Sequence, residues 1–159
     1  MRLQIPKRGI TAVEAVIGIS LAGIIIVFAM NAVNQFINGG RDVTQKTQAL
    51  YLAEEGLELA RYLKDNNWTN ISTLALNTPH YFEITPASIK ATTTPETIGP
   101  FSRSFTLQNV YRNSSSDDIV ASTTWGSVPD PDSKYVTVNL TWGSGQGVSL
   151  TSILADTVP

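Results

Sequence analysis

No charged side chain occurs between Ala15 and Gly40, a run of 26 residues in a chain of 159. From Ile10 to Met30 only Thr11, Glu14 and Ser20 interrupt the apolar sequence. A helix over those 21 residues would be about 31 Å long at ~1.5 Å per residue, enough to cross a hydrocarbon layer of ~30 Å. Such a segment cannot be the surface of a water-soluble domain, and it predicts a membrane span. The preceding leader, residues 1–9, holds Arg2, Lys7 and Arg8 with no acid, and Pro6 discourages an earlier helix start. Basic flanks stay cytoplasmic, so the chain beyond Gly40 is expected outside, although Arg41 and Lys46 reduce the asymmetry.

Glu14 separates the readings open to this segment. A secretory signal needs a small-residue cleavage site, for which Met30-Asn31-Ala32 is a poor candidate. A plain signal anchor would keep the helix uncut. In either case a carboxylate near the start of the span is an unneeded cost, about 2.5–3.5 kcal/mol at a helix centre and less near an end. Glu14 therefore calls for a compensating partner.

The ordered set Lys7-Arg8-Gly9, then Ile10-Thr11-Ala12-Val13-Glu14, then a long apolar run resembles the class III leader of type IV pilins and pseudopilins. The resemblance implies that a prepilin peptidase cuts between Gly9 and Ile10 and methylates the new amine of Ile10. It makes Lys7 and Arg8 the basic pair of the leader and Glu14 the assembly glutamate. Physical chemistry fits this reading. Gly9 lets the backbone enter a tight site, and the Ile10 amine lies four residues from Glu14, on one side of a helix. A neighbouring subunit's glutamate could instead receive the amine and set the axial register of a fibre. The chain departs from the commoner family pattern in its Ile10, where phenylalanine or methionine is usual, in lacking a proline within the first helix, and in having no cysteine pair.

After the span, Asn31, Asn34, Gln35 and Asn38 add polarity, and Gly39-Gly40 reads as a weak point or bend. A second helical signal runs from about Val43 to Leu63, with Ala49, Leu52, Ala53, Gly56, Ala60 and Leu63 at spacings of three and four. Glu54, Glu55, Glu58, Arg61 and Lys64 cover the rest; Glu58 with Arg61, or Arg61 with Asp65, can pair along it. The acids read as a solvated face rather than a catalytic or metal cluster. Asp65-Asn66-Asn67 reads as the end of the helix. The stretch Ala53 to Glu58, through Asp65-Asn66-Asn67-Trp68, also resembles the helix end of bacterial pilin-like proteins.

From Thr69 onward there are 15 Thr, 13 Ser and seven of the eight prolines, a composition of strands and turns. Expected strands are Tyr81 to Ile84, Phe101 to Tyr111, Tyr135 to Trp142 and Val148 to Leu154. In the third, Val136, Val138, Leu140 and Trp142 alternate with Tyr135, Thr137, Asn139 and Thr141, as a sheet buried on one face requires. Gly143 to Gly147 should close a hairpin with the fourth strand, and the apolar face should rest on the amphipathic helix. The expected fold is therefore α+β and pilin-like: residues 1–9 a cleavable leader, 10–40 the transmembrane and assembly half of one long helix, 41–68 its amphipathic half, and 69–159 an antiparallel β head.

The polar stretch Asn113 to Ser133 reads as a loop. Its Asp117-Asp118 and Asp130-Pro131-Asp132 lack the spacing of a helix-loop-helix calcium site and read as turns. Asn67, Asn70, Asn113 and Asn139 open Asn-x-Ser/Thr sequons, which a Ser/Thr-rich chain produces by chance. With no cysteine and a single histidine, His80, beside Pro79, neither a thiolate nor a two-histidine metal site is available. No serine stands in a Gly-x-Ser-x-Gly elbow. The reading is therefore of a non-enzyme with no catalytic residue, no metal site and no cofactor. Trp142 reads as core; Trp125, in a polar setting, is the tryptophan expected to contact a ligand such as a sugar or single-stranded nucleic acid.

These features, with the resemblance, imply a structural subunit of a type IV pilus-like filament serving adhesion, motility or DNA uptake. The alternatives are a pseudopilin or minor tip subunit of a secretion system, or an extracytoplasmic binding module on an uncleaved anchor. The implied partners are the prepilin peptidase, other pilin subunits, an assembly platform protein and ATPase, the cytoplasmic membrane before assembly and, as one candidate, nucleic acid. The implied location is a single-pass membrane precursor that becomes an extracellular pilus or periplasmic pseudopilus. Loss of the leader leaves 8 basic against 13 acidic residues, a formal −5, so overall attraction to phosphate plays no part.

Overall fold

In a computed structural model of the chain, residues 11–156 are described. Helix α1 spans Ala12–Asn66 without interruption. Its 55 residues contain both signals read from the sequence, the apolar run and the amphipathic stripe. Gly39-Gly40 does not end it: the intrahelical ladder tolerates glycine at about 1 kcal/mol each relative to alanine. Two compact units divide between Thr44 and Gln45, four residues past the expected boundary.

The first unit is the apolar part of α1, described alone. Its large hydrophobic side chains are exposed on every side, from Ile37 at 45% to Phe36 at 82%. A helix apolar all round is made for a non-aqueous environment. The most apolar window has a mean hydropathy of 2.4 and none of it is buried, so α1 is a candidate membrane span by length and composition.

In the second unit the remainder of α1 presents Ala49, Ala53, Gly56, Ala60 and Leu63 as one buried stripe. Leu52, also expected there, is only partly buried against that core. Small residues dominate because the sheet comes close: a Cβ built on Gly56 would lie 2.8 Å from Val138 Cγ1 and 3.3 Å from Arg103 Cδ. Glu58 pairs with Arg61 as expected, whereas Asp65 is paired by Lys64 at 2.8 Å rather than by Arg61. At the end of the helix Leu63 O accepts from Asn67 N at 3.3 Å and from Asn70 Nδ2 at 3.1 Å, so the side chain of Asn70 ties α2 to the last turn.

The head opens with a single helical turn, α2 (Thr69–Ser72), which the strand-rich composition did not lead us to expect. Asn67 Oδ1 starts it by accepting from Thr69 N and Oγ1 at 2.9 and 2.7 Å. Strands β1 (Tyr81–Thr85) and β2 (Ser88–Thr92) form an antiparallel hairpin. The larger antiparallel sheet has the order β3 (Glu96–Ile98), β4 (Phe101–Asn113), β6 (Ser127–Trp142), β7 (Gln146–Ala155), with β5 (Ile119–Val120) beside the far end of β4. The four expected strands are present as β1, β4, β6 and β7. The β6–β7 hairpin closes as expected through Gly143 and Gly145, both at positive φ, which only glycine adopts freely.

The expected Asn113 to Ser133 loop is corrected: β5 lies within it, and β6 begins at Ser127, running through Pro129 and Pro131. Pairing between β6 and β7 begins only at Ser133↔Ala155. Asp156 N still donates to Asp132 O at 2.8 Å, but among the described residues none pairs with 127–131 on the β7 side, an edge position that tolerates proline. A register shift between Asn109 and Tyr111 lets β4 follow this extension.

The core lies between the α1 stripe and the inner faces of β4 and β6. Phe101, Phe105 and Leu107 alternate inward from β4, and Val136, Val138, Leu140 and Trp142 from β6. The architecture is α+β, one long N-terminal helix packed on antiparallel sheet, as expected.

Candidate functional site

The first turn of α1 holds Glu14, the charged group that precedes the uncharged run from Ala15 to Gly40. Ala15 N donates to Thr11 O at 3.1 Å, and Glu14 N to Thr11 Oγ1 at 3.4 Å. Thr11-Ala12-Val13-Glu14 therefore has the order of a capping box, Thr11 serving a backbone donor that the helix leaves open. Threonine three residues before a glutamate was the sequence signal for this cap, and it was not read as one. The Glu14 carboxylate is exposed at a helix N-terminus, where the macrodipole favours a negative charge. Lys7, Arg8, Gly9 and Ile10 lie outside the described residues.

Along the same helix two hydroxyls are satisfied by the helix backbone. Ser20 Oγ donates to Val16 O at 2.8 Å and Thr44 Oγ1 to Gly40 O at 2.9 Å. A hydroxyl returned to its own backbone does not need water.

In the head, the most conspicuous polar group is one that sequence reading missed. Arg103 is 1% exposed, inside the core. Its Nε and Nη2 form a two-pronged pair with the Glu96 carboxylate at 2.9 and 2.7 Å; Nη1 reaches Leu52 O at 3.3 Å and Glu55 at 3.4 Å. The guanidinium also lies 5.4 Å from the centre of the Phe82 ring. Burial pulls its pKa down, but Glu96 and then Glu55 outweigh that and hold it above the ordinary guanidinium value. The cluster ties β4 to β3 and to α1. The signal for it was parity: Arg103 shares a strand face with Phe101 and Phe105. Lys134 follows the same rule beside Val136 and is buried, its Nζ donating to Asn109 Oδ1 at 3.0 Å.

The acids of the former loop are not grouped for a metal. Arg112 Nε donates to Asp130 Oδ2 at 2.7 Å and lies 4.0 Å from Asp117, while Asp130 Oδ1 accepts from Asp132 N at 2.9 Å. Burial pushes the Asp130 carboxyl up, but hydrogen bonds from Arg112, Ser133 and Asp132 outweigh it and hold it below the ordinary 3.8. Asp117 sits at φ 60, a turn residue as expected. Among the described residues no group of three or more His, Asp or Glu is placed to hold a metal ion.

His80 is a strand-edge residue. It bridges Phe105 through two backbone hydrogen bonds of 2.8 Å, and its Nε2 lies 2.8 Å from Ala75 O. Trp142 is buried and packs edge-on against Phe101 at 5.7 Å. Trp125 is 93% exposed. No family model, curated protein or solved structure matches the chain.

Proposed function

We propose that the chain is a structural subunit of a type IV pilus-like filament, processed after Gly9 and polymerised through the apolar part of α1. The observation that carries the reading is a helix uncharged from Ala15 to Gly40, exposed on every side, with a single carboxylate, Glu14, in its first turn. In this reading the precursor crosses the cytoplasmic membrane with the head outside. A prepilin peptidase frees and methylates the Ile10 amine, and an assembly platform and its ATPase move subunits from lipid into a fibre.

Transfer from lipid to the fibre keeps the apolar side chains away from water throughout, so it is nearly neutral hydrophobically. The incoming register must then be fixed by something directional, and a charged amine meeting a neighbour's carboxylate in a medium of low dielectric is such a contact. Glu14→Ala is expected to leave membrane insertion and processing intact while reducing surface filaments at least about tenfold, the equivalent of ~1.4 kcal/mol per added subunit. Filaments at the parental level in a Glu14→Ala strain would defeat the proposal.

A further inference from the structure

The head carries a cleft that the filament reading does not use. It lies along the β4 edge, in the interval between Asn77, whose N–H donates to Leu107 O at 2.9 Å, and β5. Its volume is about 790 Å³, within the ~300–1,000 Å³ of small-molecule sites. Asn77 forms one end, Gln108 and Tyr111 of β4 with Tyr135 of β6 the middle, and Ile119 to Ser122 the other end. Gln108 and Tyr135 are cross-strand partners, so their side chains leave the same face of the sheet, away from α1.

None of the residues lining the cleft carries a charge. The side chains of Asn77, Gln108, Tyr111, Ser122 and Tyr135 make no hydrogen bond among the described residues. Asn109 follows Gln108 on β4, and its side chain turns to the opposite face, where Oδ1 accepts from Lys134 Nζ. The cleft thus offers amides and hydroxyls, groups that both donate and accept, together with two phenol rings and the apolar Ile119 and Val120. Its chemical complement is a neutral molecule dense in hydroxyls with apolar C–H faces. The two cations next to lining residues in sequence are both engaged elsewhere, Lys134 Nζ with Asn109 Oδ1 and Arg112 Nε with Asp130.

Two neighbouring features extend the same chemistry. From Ile119 to Pro129 the sequence contains no charge, and the loop that supplies Ser122 carries the 93% exposed Trp125 three residues on. Ser127 Oγ to Ser122 O at 2.8 Å and Thr124 N to Ala121 O at 2.9 Å hold this loop in place. Beyond Gln108 and Tyr135, the next outward row is Thr106, Thr137 and Thr151, also uncharged. We propose that the cleft is a binding site for a neutral carbohydrate, an oligosaccharide whose hydroxyls meet Gln108 and Asn77 and whose ring faces meet Tyr111 and Tyr135. This does not rest on the filament reading.

The test uses the full chain in a detergent without a sugar head group. It is titrated calorimetrically with neutral gluco-, galacto-, manno- and N-acetylglucosamine tetrasaccharides, with a heparin tetrasaccharide and a short oligothymidylate as anionic comparators. At least one neutral oligomer is expected to bind, and Gln108→Ala and Tyr135→Ala are each expected to weaken it about five- to tenfold, the net value of one lost contact. Gln108 is exposed, so Gln108→Ala keeps the fold and decides the matter even if Tyr135→Ala does not fold. Absence of neutral binding up to about 10 mM ligand, binding indifferent to Gln108→Ala, or preference for the anionic comparators would overturn the proposal.

Discussion

Gly56 is where α1 comes closest to the sheet, and Gly56→Ala sets two opposite effects against each other. In a free helix the substitution would stabilise by about 1 kcal/mol through propensity. Here the new Cβ would lie 2.8 Å from Val138 Cγ1, about 1 Å inside a comfortable carbon contact of ~3.5–4.0 Å. Val138 is fully buried and β-branched, so it has no free rotamer to retreat into. Arg103 Cδ, at 3.3 Å, is equally fixed, because its guanidinium is held by Glu96. Overpacking of this kind costs about 1–3 kcal/mol, leaving a net loss of about 1 kcal/mol. For a head of this size that is a fall of about 4 °C in Tm.

The assay is thermal unfolding of the detergent-solubilised chain, followed by near-ultraviolet circular dichroism of the buried Trp142. Gly56→Val should lower Tm further. Gly40→Ala, whose added Cβ meets nothing within 4 Å, should not lower it at all. A rise in Tm for Gly56→Ala equal to that of a free helix would refute the close packing of α1 on β6.

Other expectations follow from the ion pairs of the head. Arg103→Met should destabilise by about 2–4 kcal/mol, because the Glu96 carboxylate, 14% exposed, loses its partner. Arg103→Met with Glu96→Gln should recover at least half of that, as measured by urea unfolding. The folded-state pKa of Asp130 is depressed, so its stabilisation is complete above its ordinary 3.8 and is lost as pH falls through the lower folded value. Asp130→Asn should therefore flatten the loss of stability below about pH 4 and leave the slope near neutrality unchanged.

The parts of the fold legible in the sequence were those with a long, clean period. The uncharged run, the spacing from Ala49 to Leu63, and the alternation from Tyr135 to Trp142 each specify an element and the face it buries. What escaped reading was short or broke a local rule. Strands β3 and β5 have three and two residues, too few to establish a period, and with β2 they exist because β1 and β4 offer them an edge. The first half of β6 contains two prolines, which argue against a strand until one knows that β7 ends before them. Arg103 sits at a core position by alternation, but a charge there contradicts burial unless the Glu96 partner is foreseen. Trp125 could be singled out by its polar surroundings, whereas the cleft beside its loop is assembled from four separate stretches of chain.

Intact mass and amino-terminal sequence of the protein taken from its native membrane, beside a Gly9→Val strain, test the filament account most directly. The account predicts a chain that begins at Ile10 with a methylated amine, and loss of both cleavage and surface filaments on substitution at Gly9. A chain that keeps residues 1–9 in a cell with an active prepilin peptidase would contradict it and leave an anchored extracytoplasmic binding module in its place.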